Sequence, residues 1–343
     1  MSYTVLIDSV DPQQWEQYAG DFADYSIYQT WPYQQVRGEK DRQQVSRFVI
    51  KDNAGQVTTM GHVRIKRVKP LGLAIGYVQW GPLLRRKNDS LDCTVAALEK
   101  LREAYLGTEV NILRIVPNIF RDEAASKVTE MLEASGFRIV PYIKPYHTMV
   151  LPLDLPNDEI FRKLHRSWKR GLEKGEQTDL EIKEGPDIKY FSILDRLYRT
   201  TVQRKGFKGL NPEEFMRPQQ MLSDREKMNI VVAYFKGEPV AAHATSHLGD
   251  TAVGTLAASS EKGLELGASY LVWWRTLLAA KSVGMKRYDL GGIDPKNNPT
   301  VYQFKQRMGA HEVFHIGAFE AHTTTVIKNV WWMAERVYRF VKV

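Results

Sequence analysis

"NIVVAYFKGEPVAAHATSHL", residues 229–248, decides the fold, because the chain has used the same design once before. Apolar residues alternate on both sides of Lys236-Gly237-Glu238, which predicts two strands joined by a tight turn. Far upstream, "RFVIKDNAGQVTTMGHVRIK", residues 47–66, reads as an equivalent hairpin around an Asn/Gly turn. Working outward, each hairpin is followed by a further strand, a helix stopped by glycine, and another strand. In the first copy these are "LAIGYVQWGPL", a helix over residues 90–106 before Gly107, and "VNILRIVP"; a second helix ending at Gly136 and "FRIVPYI" follow. In the second copy they are "TAVGTLAAS", a helix over residues 267–283 before Gly284, and "KRYDLGG". The repetition predicts a duplicated α/β (α+β) chain of two domains, each a mixed sheet flanked by helices.

The boundary falls near "YHTMVLPLDLP", residues 146–156, where a strand meets a proline-bracketed turn. Residues 1–148 plus 312–343 are assigned to the first domain and residues 149–311 to the second. The tail supplies one more strand, "EVFHIGAFE", and a last helix, "TTTVIKNVWWMAERVYRF". Val326, Val330, Trp331, Met333, Val337 and Tyr338 give that helix a broad apolar stripe. Core packing against the first domain is one reading. A membrane-surface helix carrying Lys328, Arg336 and Arg339 is the other.

A length of 343 residues suits two domains at about 100–200 residues each. Charged residues at 26% and hydrophobic ones at 43% exclude a disordered chain. No apolar run reaches the length of a membrane span, and the N-terminus has neither a basic n-region nor a sustained h-region, so a cytoplasmic location is expected. Cys93 is the single cysteine, which excludes an intrachain disulfide and a thiolate metal cluster; inside a helical pattern it reads as packing. The eight histidines show no H-x-x-x-H or H-E-x-x-H pair on a helix. His243 and His247 lie on one strand, where four residues span about 13 Å, so no metal is expected. A net charge of +8 favours anionic partners.

Chemistry concentrates in four places. "YDLGGIDPKNNPTVYQFKQRMG", residues 288–309, ends a strand at Gly291-Gly292 and enters a short helix carrying Phe304 and Lys305. Glycines there let backbone and ligand approach closely while the loop brings the lysine inward. Asp289, just before them, reads as structural rather than as a general base. "DEIFRKLHRSWKRGLEKGEQ" places Arg162, Arg166, Lys169 and Arg170 near one face of a helix, either a solvated basic face or a phosphate-binding ridge. Arg204, Lys205 and Lys208 surround two glycines in a composition suited to a diphosphate, or to complementing a helix dipole. Residues 261–271, "EKGLELGASYL", resemble the pyrophosphate-binding turn of acyl-CoA acetyltransferases but lack its basic residue and closely spaced glycines, which argues against a coenzyme A site.

Taken together, "GASYLVWWRTLLAAKSVGMKRYDLGGIDP" and "VYQFKQRMGA" resemble the ending of the FemABX family, the aminoacyl-tRNA-dependent transferases that build peptidoglycan cross-bridges. "YQTWPYQQVRG", "GYVQWGPL" and "RKLHRSWKRGLEKGEQTDLEI" resemble its earlier landmarks, so the likeness covers nearly the whole chain. It implies two tandem Gcn5-type acetyltransferase-like domains, and transfer of an amino acid from charged tRNA to an amine of a nucleotide- or lipid-linked muropeptide, without metal or cofactor. It further implies Lys305 as the group that stabilises negative charge, with Phe304 beside it. Arg204 would contact precursor phosphate, and Trp31 and Arg37 would supply a first-domain wall and cation for the same ligand. Gly291 and Gly292 would line the substrate, and Arg162, Arg166, Lys169 and Arg170 would meet tRNA. The chain is similar to compact members without a coiled-coil arm. A monomer with peripheral membrane contact fits this picture. The alternatives are an N-acyltransferase using an acyl thioester on an envelope polysaccharide or small peptide, and a catalytically silent RNA- or phosphate-binding protein.

Overall fold

A computed structural model of the chain describes residues 2–88, 91, 93–206 and 210–341. Two compact units emerge, one of Met1–Asp24, Gln34–Pro145 and Phe314–Val343, the other of Tyr25–Tyr33 and Tyr146–Val313.

In chain order the first unit's strands begin with β1 (Thr4–Ile7), β2 (Gln44–Lys51), β3 (Val57–Val68), β4 (Leu73–Gln79), β5 (Ile112–Val116) and β6 (Arg138–Ile139). The second contains β7 (His147–Pro152), β8 (Leu180–Gly185), β9 (Asn229–Phe235), β10 (Glu238–Leu248), β11 (Thr251–Ser259), β12 (Arg287–Gly292) and β13 (His311–Phe314), and β14 (Phe319–His322) returns to the first. The sheets run β1-β2-β3-β4-β5-β14-β6 and β13-β7-β12-β11-β10-β9-β8. Each is antiparallel through its hairpins and parallel at one pairing, β4 with β5 and β11 with β12. A helix fills each of those parallel crossovers, Val95–Tyr105 in one and Ala268–Ser282 in the other. These are two mixed α/β units of one topology.

The hairpins follow from local chemistry. Lys236 and Gly237 both adopt positive φ (52° and 82°), the left-handed pair that matches strand twist in a two-residue turn. No arm is inserted there. In the first hairpin the Asp52 carboxylate accepts the amides of Ala54 and Gln56 and closes a longer turn over Gly55.

Three expectations need correction. The basic stretch predicted as one helix is two, Asn157–Lys163 and Arg166–Gln177, because His165 turns its Nδ1 to the Ser167 amide (3.2 Å) and starts a new helix. The tail strand is likewise two, β13 in the second sheet and β14 in the first, parted at a stretch where Gly317 takes φ 106°. Finally, Tyr25–Tyr33, assigned from sequence to the first domain, belongs to the second unit: Ile27 and Tyr33 join Phe191, Leu194, Phe215 and Ile230 in its core. Ser90 and Lys208 lie outside the described residues; the helix expected from residue 90 runs from Val95 to Tyr105.

Cys93 sits in the first unit's core, and burial pushes its thiol pKa up, so it packs rather than reacts.

Candidate active site

The strand-end motif of the second unit gathers a buried polar cluster. β12 carries Asp289 into the sheet and ends at Gly291, whose φ of 81° admits few residues other than glycine. A Cβ there would stand 2.9 Å from the Gly254 carbonyl of β11 and 3.5 Å from Lys305 Nζ. The loop then reaches the helix Pro299–Gln306, capped by Asn298, which delivers Lys305 inward. Only 6% of Lys305 is exposed, and its Nζ donates to the carbonyls of Gly291 (2.8 Å) and Gly292 (3.0 Å). The double glycine therefore presents two carbonyls to a buried ammonium.

Asp289 lies beneath this turn. Its Oδ1 accepts the Gly291 amide (2.9 Å) and faces the Thr148 hydroxyl, which also sits 2.9 Å from the Gly291 carbonyl. Register explains the meeting, since Thr148 of β7 is paired with Gly292 of β12. The two charges perturb each other. Burial pushes Asp289 up to about 6 despite lowering by Thr148, the Gly291 amide, Lys305 and Tyr146, and burial pushes Lys305 down to about 8 while Asp289 holds it up. Desolvation dominates on both sides. Burial first, and the neighbouring negative charge second, raise the pKa of Tyr146, and burial together with Tyr33 and Asp289 raises that of Tyr28. His243, stacked 4.0 Å from the Trp273 ring, is pushed down to about 3 by burial and by Lys305, so it is neutral at neutral pH. His247 is likewise pushed down, to about 4, by burial.

Phe304 has a seating role. Its ring lies 5.2–5.8 Å from Tyr270, Trp273 and Trp168, and this contact fixes the lysine-bearing helix against the helices Ala268–Ser282 and Arg166–Gln177.

The acetyltransferase-like turn before Ala268 is filled by protein. Gly267, at φ 76°, would place a Cβ 2.5 Å from the Gly171 carbonyl, and a Cβ on Gly175 would lie 2.7 Å from the Gly267 carbonyl. Gly171 and Gly175 thus let the helix Arg166–Gln177 press its backbone onto the helix N-terminus where a pyrophosphate would otherwise sit.

The remaining sequence-selected residues disperse. Arg162 belongs to the earlier short helix and pairs with Asp158 (3.2 Å) and Glu159 (3.8 Å), so it does not share a ridge with the later cations. Lys169 donates to the Arg162 carbonyl (3.1 Å) over the Phe161 ring. Arg166 and Arg170 are exposed. Arg204 donates to the Ser259 carbonyl (3.3 Å) and lies 3.6 Å from Glu261, at the end of β11. Trp31 is half-buried in the second unit rather than on a first-unit wall. Arg37, in the first unit, pairs with Asp41 (3.0 Å), which also contacts Arg64 (3.4 Å). Arg64 in turn donates to Gln79 (2.7 Å), with its guanidinium 5.4 Å from the Tyr77 ring.

Thr148, Tyr146, Tyr28 and Arg64 were not found by sequence reasoning. None has a local signature, because each acquires its neighbours through strand pairing or chain return. Among the described residues no group of three potential ligands could hold a metal ion.

The chain thus repeats one mixed α/β topology, and one copy bears a buried lysine on a glycine-rich strand end. Residues 222–336 match the FemAB family model. The lipid II:glycine glycyltransferases of two Staphylococcus epidermidis strains are 26% identical over 173 residues, covering 47% of this chain and 40% of theirs. The match therefore spans less than half the length of those relatives. The crystal structure of FemX superposes with a TM-score of 0.79 at 15% identity, covering 96% of this chain and 99% of that one. L-PGS from Bacillus licheniformis gives 0.55 at 11% identity, covering 93% and 95%. At such identities the shared property is the fold. Residues 222–336 are thus similar to the FemAB family, and the chain shares the fold of FemX.

Proposed function

We propose that this protein is an aminoacyltransferase that forms an amide bond on an amine of a peptidoglycan precursor peptide, taking the amino acid from charged tRNA. The observation that carries the reading is the buried Lys305 ammonium, fixed by two backbone carbonyls at the end of β12. An aminoacyl ester is already activated, so the reaction needs alignment and stabilisation of the developing oxyanion. The amine nitrogen attacks the ester carbonyl, the new C–N bond forms, the C–O bond to ribose breaks, and the ribose oxygen takes up a proton equivalent to the one the amine gives up. Two of the three ammonium N–H groups are engaged by Gly291 and Gly292, which leaves the third for the oxyanion. In this reading Gly291 and Gly292 border the substrate, Phe304 seats the lysine, and exposed Arg166 and Arg170, with Lys169, meet tRNA phosphates. Arg204, Trp31 and Arg37 are the further candidates for precursor contacts.

The choice of donor rests on the filled turn at Gly267. A coenzyme A pyrophosphate has no open helix N-terminus there, which favours an ester donor over an acyl thioester. The similarity to the lipid II:glycine glycyltransferases supports the acceptor class. The test incubates the full chain with charged tRNA or acyl-CoA and with nucleotide-linked or lipid-linked precursor. Product formation abolished by RNase is expected. Efficient transfer from acyl-CoA alone would overturn the donor, and salt-dependent tRNA binding with no product from either donor would overturn the enzyme reading in favour of a silent RNA binder.

A further inference from the structure

Up to Arg336, the last helix, Thr325–Val341, turns Ile327, Trp331 and Glu335 toward the first unit. Trp331 is buried against Ile75 and Ile112, with Ile327, Val68 and Leu73 completing the cluster. Arg114 of β5 makes a bidentate pair with Glu335 (2.9 Å to each oxygen) and also binds Glu320 of β14. The expected apolar stripe is therefore divided: Trp331 is core, Val330 half-buried, and Val326 (70% exposed) and Met333 (54%) stand in solvent with Trp332 (43%). Nothing within the first unit requires three large apolar side chains on that outward arc. Lys328 and Arg336 are exposed beside them, and the Arg336 guanidinium lies 5.3 Å from the Trp332 ring. The single acid of the stretch from Thr325 to Arg336 is Glu335, which is committed to Arg114. At the β3–β4 turn, whose Val68 and Leu73 pack with Ile327, exposed Lys66, Lys69 and Leu71 repeat the same combination.

We propose that the outward face of this helix, Val326, Trp332 and Met333 with Lys328 and Arg336, is a peripheral docking surface for a membrane leaflet carrying anionic lipid. A helix with apolar and aromatic side chains and cations without acids on its open face lies in the headgroup layer, its rings at the polar boundary and its cations against phosphate. A second copy of the chain fits worse, because a two-fold contact would set Lys328 and Arg336 against themselves. Among the described residues no helix is long and apolar enough to cross a membrane. The docking surface does not depend on the catalytic reading.

The test is co-sedimentation of the full chain with phosphatidylcholine vesicles and with vesicles containing phosphatidylglycerol. At least tenfold more binding to the anionic vesicles, largely lost in high salt, is expected. The exposed triple variant Val326→Ser, Trp332→Ser, Met333→Ser should lose at least tenfold, with an unchanged melting temperature; if the triple variant melts early, the charge reversal Lys328→Glu with Arg336→Glu replaces it. Equal binding by the variant used, absence of wild-type binding to anionic vesicles, or a solution dimer that the triple variant splits would each overturn the proposal.

Discussion

β5 and β12 occupy the same place in their two sheets, each parallel to the preceding strand and each reached through a helix, yet they end in opposite ways. β12 closes on Gly291-Gly292 with a buried lysine against their carbonyls. β5 runs into Val116, Pro117 and Asn118, and its side chain of note, Arg114, is spent on Glu320 and Glu335. The two scaffolds share one topology; one holds a buried lysine at its strand end, and the other invests its buried charge in anchoring the tail.

That contrast can be broken by exchange of effects. Arg114→Met leaves two carboxylates without their buried cation and should destabilise the first unit by about 3–5 kcal/mol, read as a fall in melting midpoint, while turnover per folded molecule is retained. Lys305→Met should lower kcat by about 10²–10³, and should also cost about 1–3 kcal/mol of stability because the Gly291 and Gly292 carbonyls and Asp289 lose their buried cation. If Lys305→Met retains turnover per folded molecule, the contrast is lost. Gly291→Ala forces a Cβ toward the Gly254 carbonyl at positive φ and should cost about 1–3 kcal/mol, whereas an alanine at Gly237, which meets nothing within 4 Å, bears only the backbone part of that penalty. The mildest test concerns pH. Lys305, pushed down to about 8, is charged below that value and loses its charge above it, so activity should fall as pH rises through about 8. Asp289→Asn removes the neighbouring negative charge, lowers the lysine pKa further and should move this basic limb to lower pH. The other groups facing the pair are Tyr28, Tyr146 and Tyr288, with pKa values raised by burial, and His243, which is neutral, so they do not titrate in that window. A basic limb unmoved in Asp289→Asn would show that the carboxylate does not set the lysine's charge.

Both hairpins, the glycine-stopped helices and the inward Lys305 were legible in the sequence, because each is written in local periodicity and turn chemistry. What was not legible depends on partners distant along the chain. His165 reads as one more helical residue until its ring caps Ser167, and Arg162 loses its place on the ridge as a result. Thr148 is an unremarkable strand residue until the β7–β12 register sets it beside Asp289. Trp31 was placed on a first-domain wall by family resemblance, whereas the core formed by Ile27 and Tyr33 with Phe191 decided where its segment belongs. The glycines at 171 and 175 have no local signature in the basic stretch, and they are its contact with Gly267.

β14 lies inside the first sheet, hydrogen-bonded to β5 on one side and β6 on the other, although it is made of residues Phe319–His322. During synthesis the first sheet therefore waits with an open seam while the whole of the second unit emerges from the ribosome. A fragment ending at Pro145 would carry that seam permanently, with two unsatisfied strand edges available to other chains.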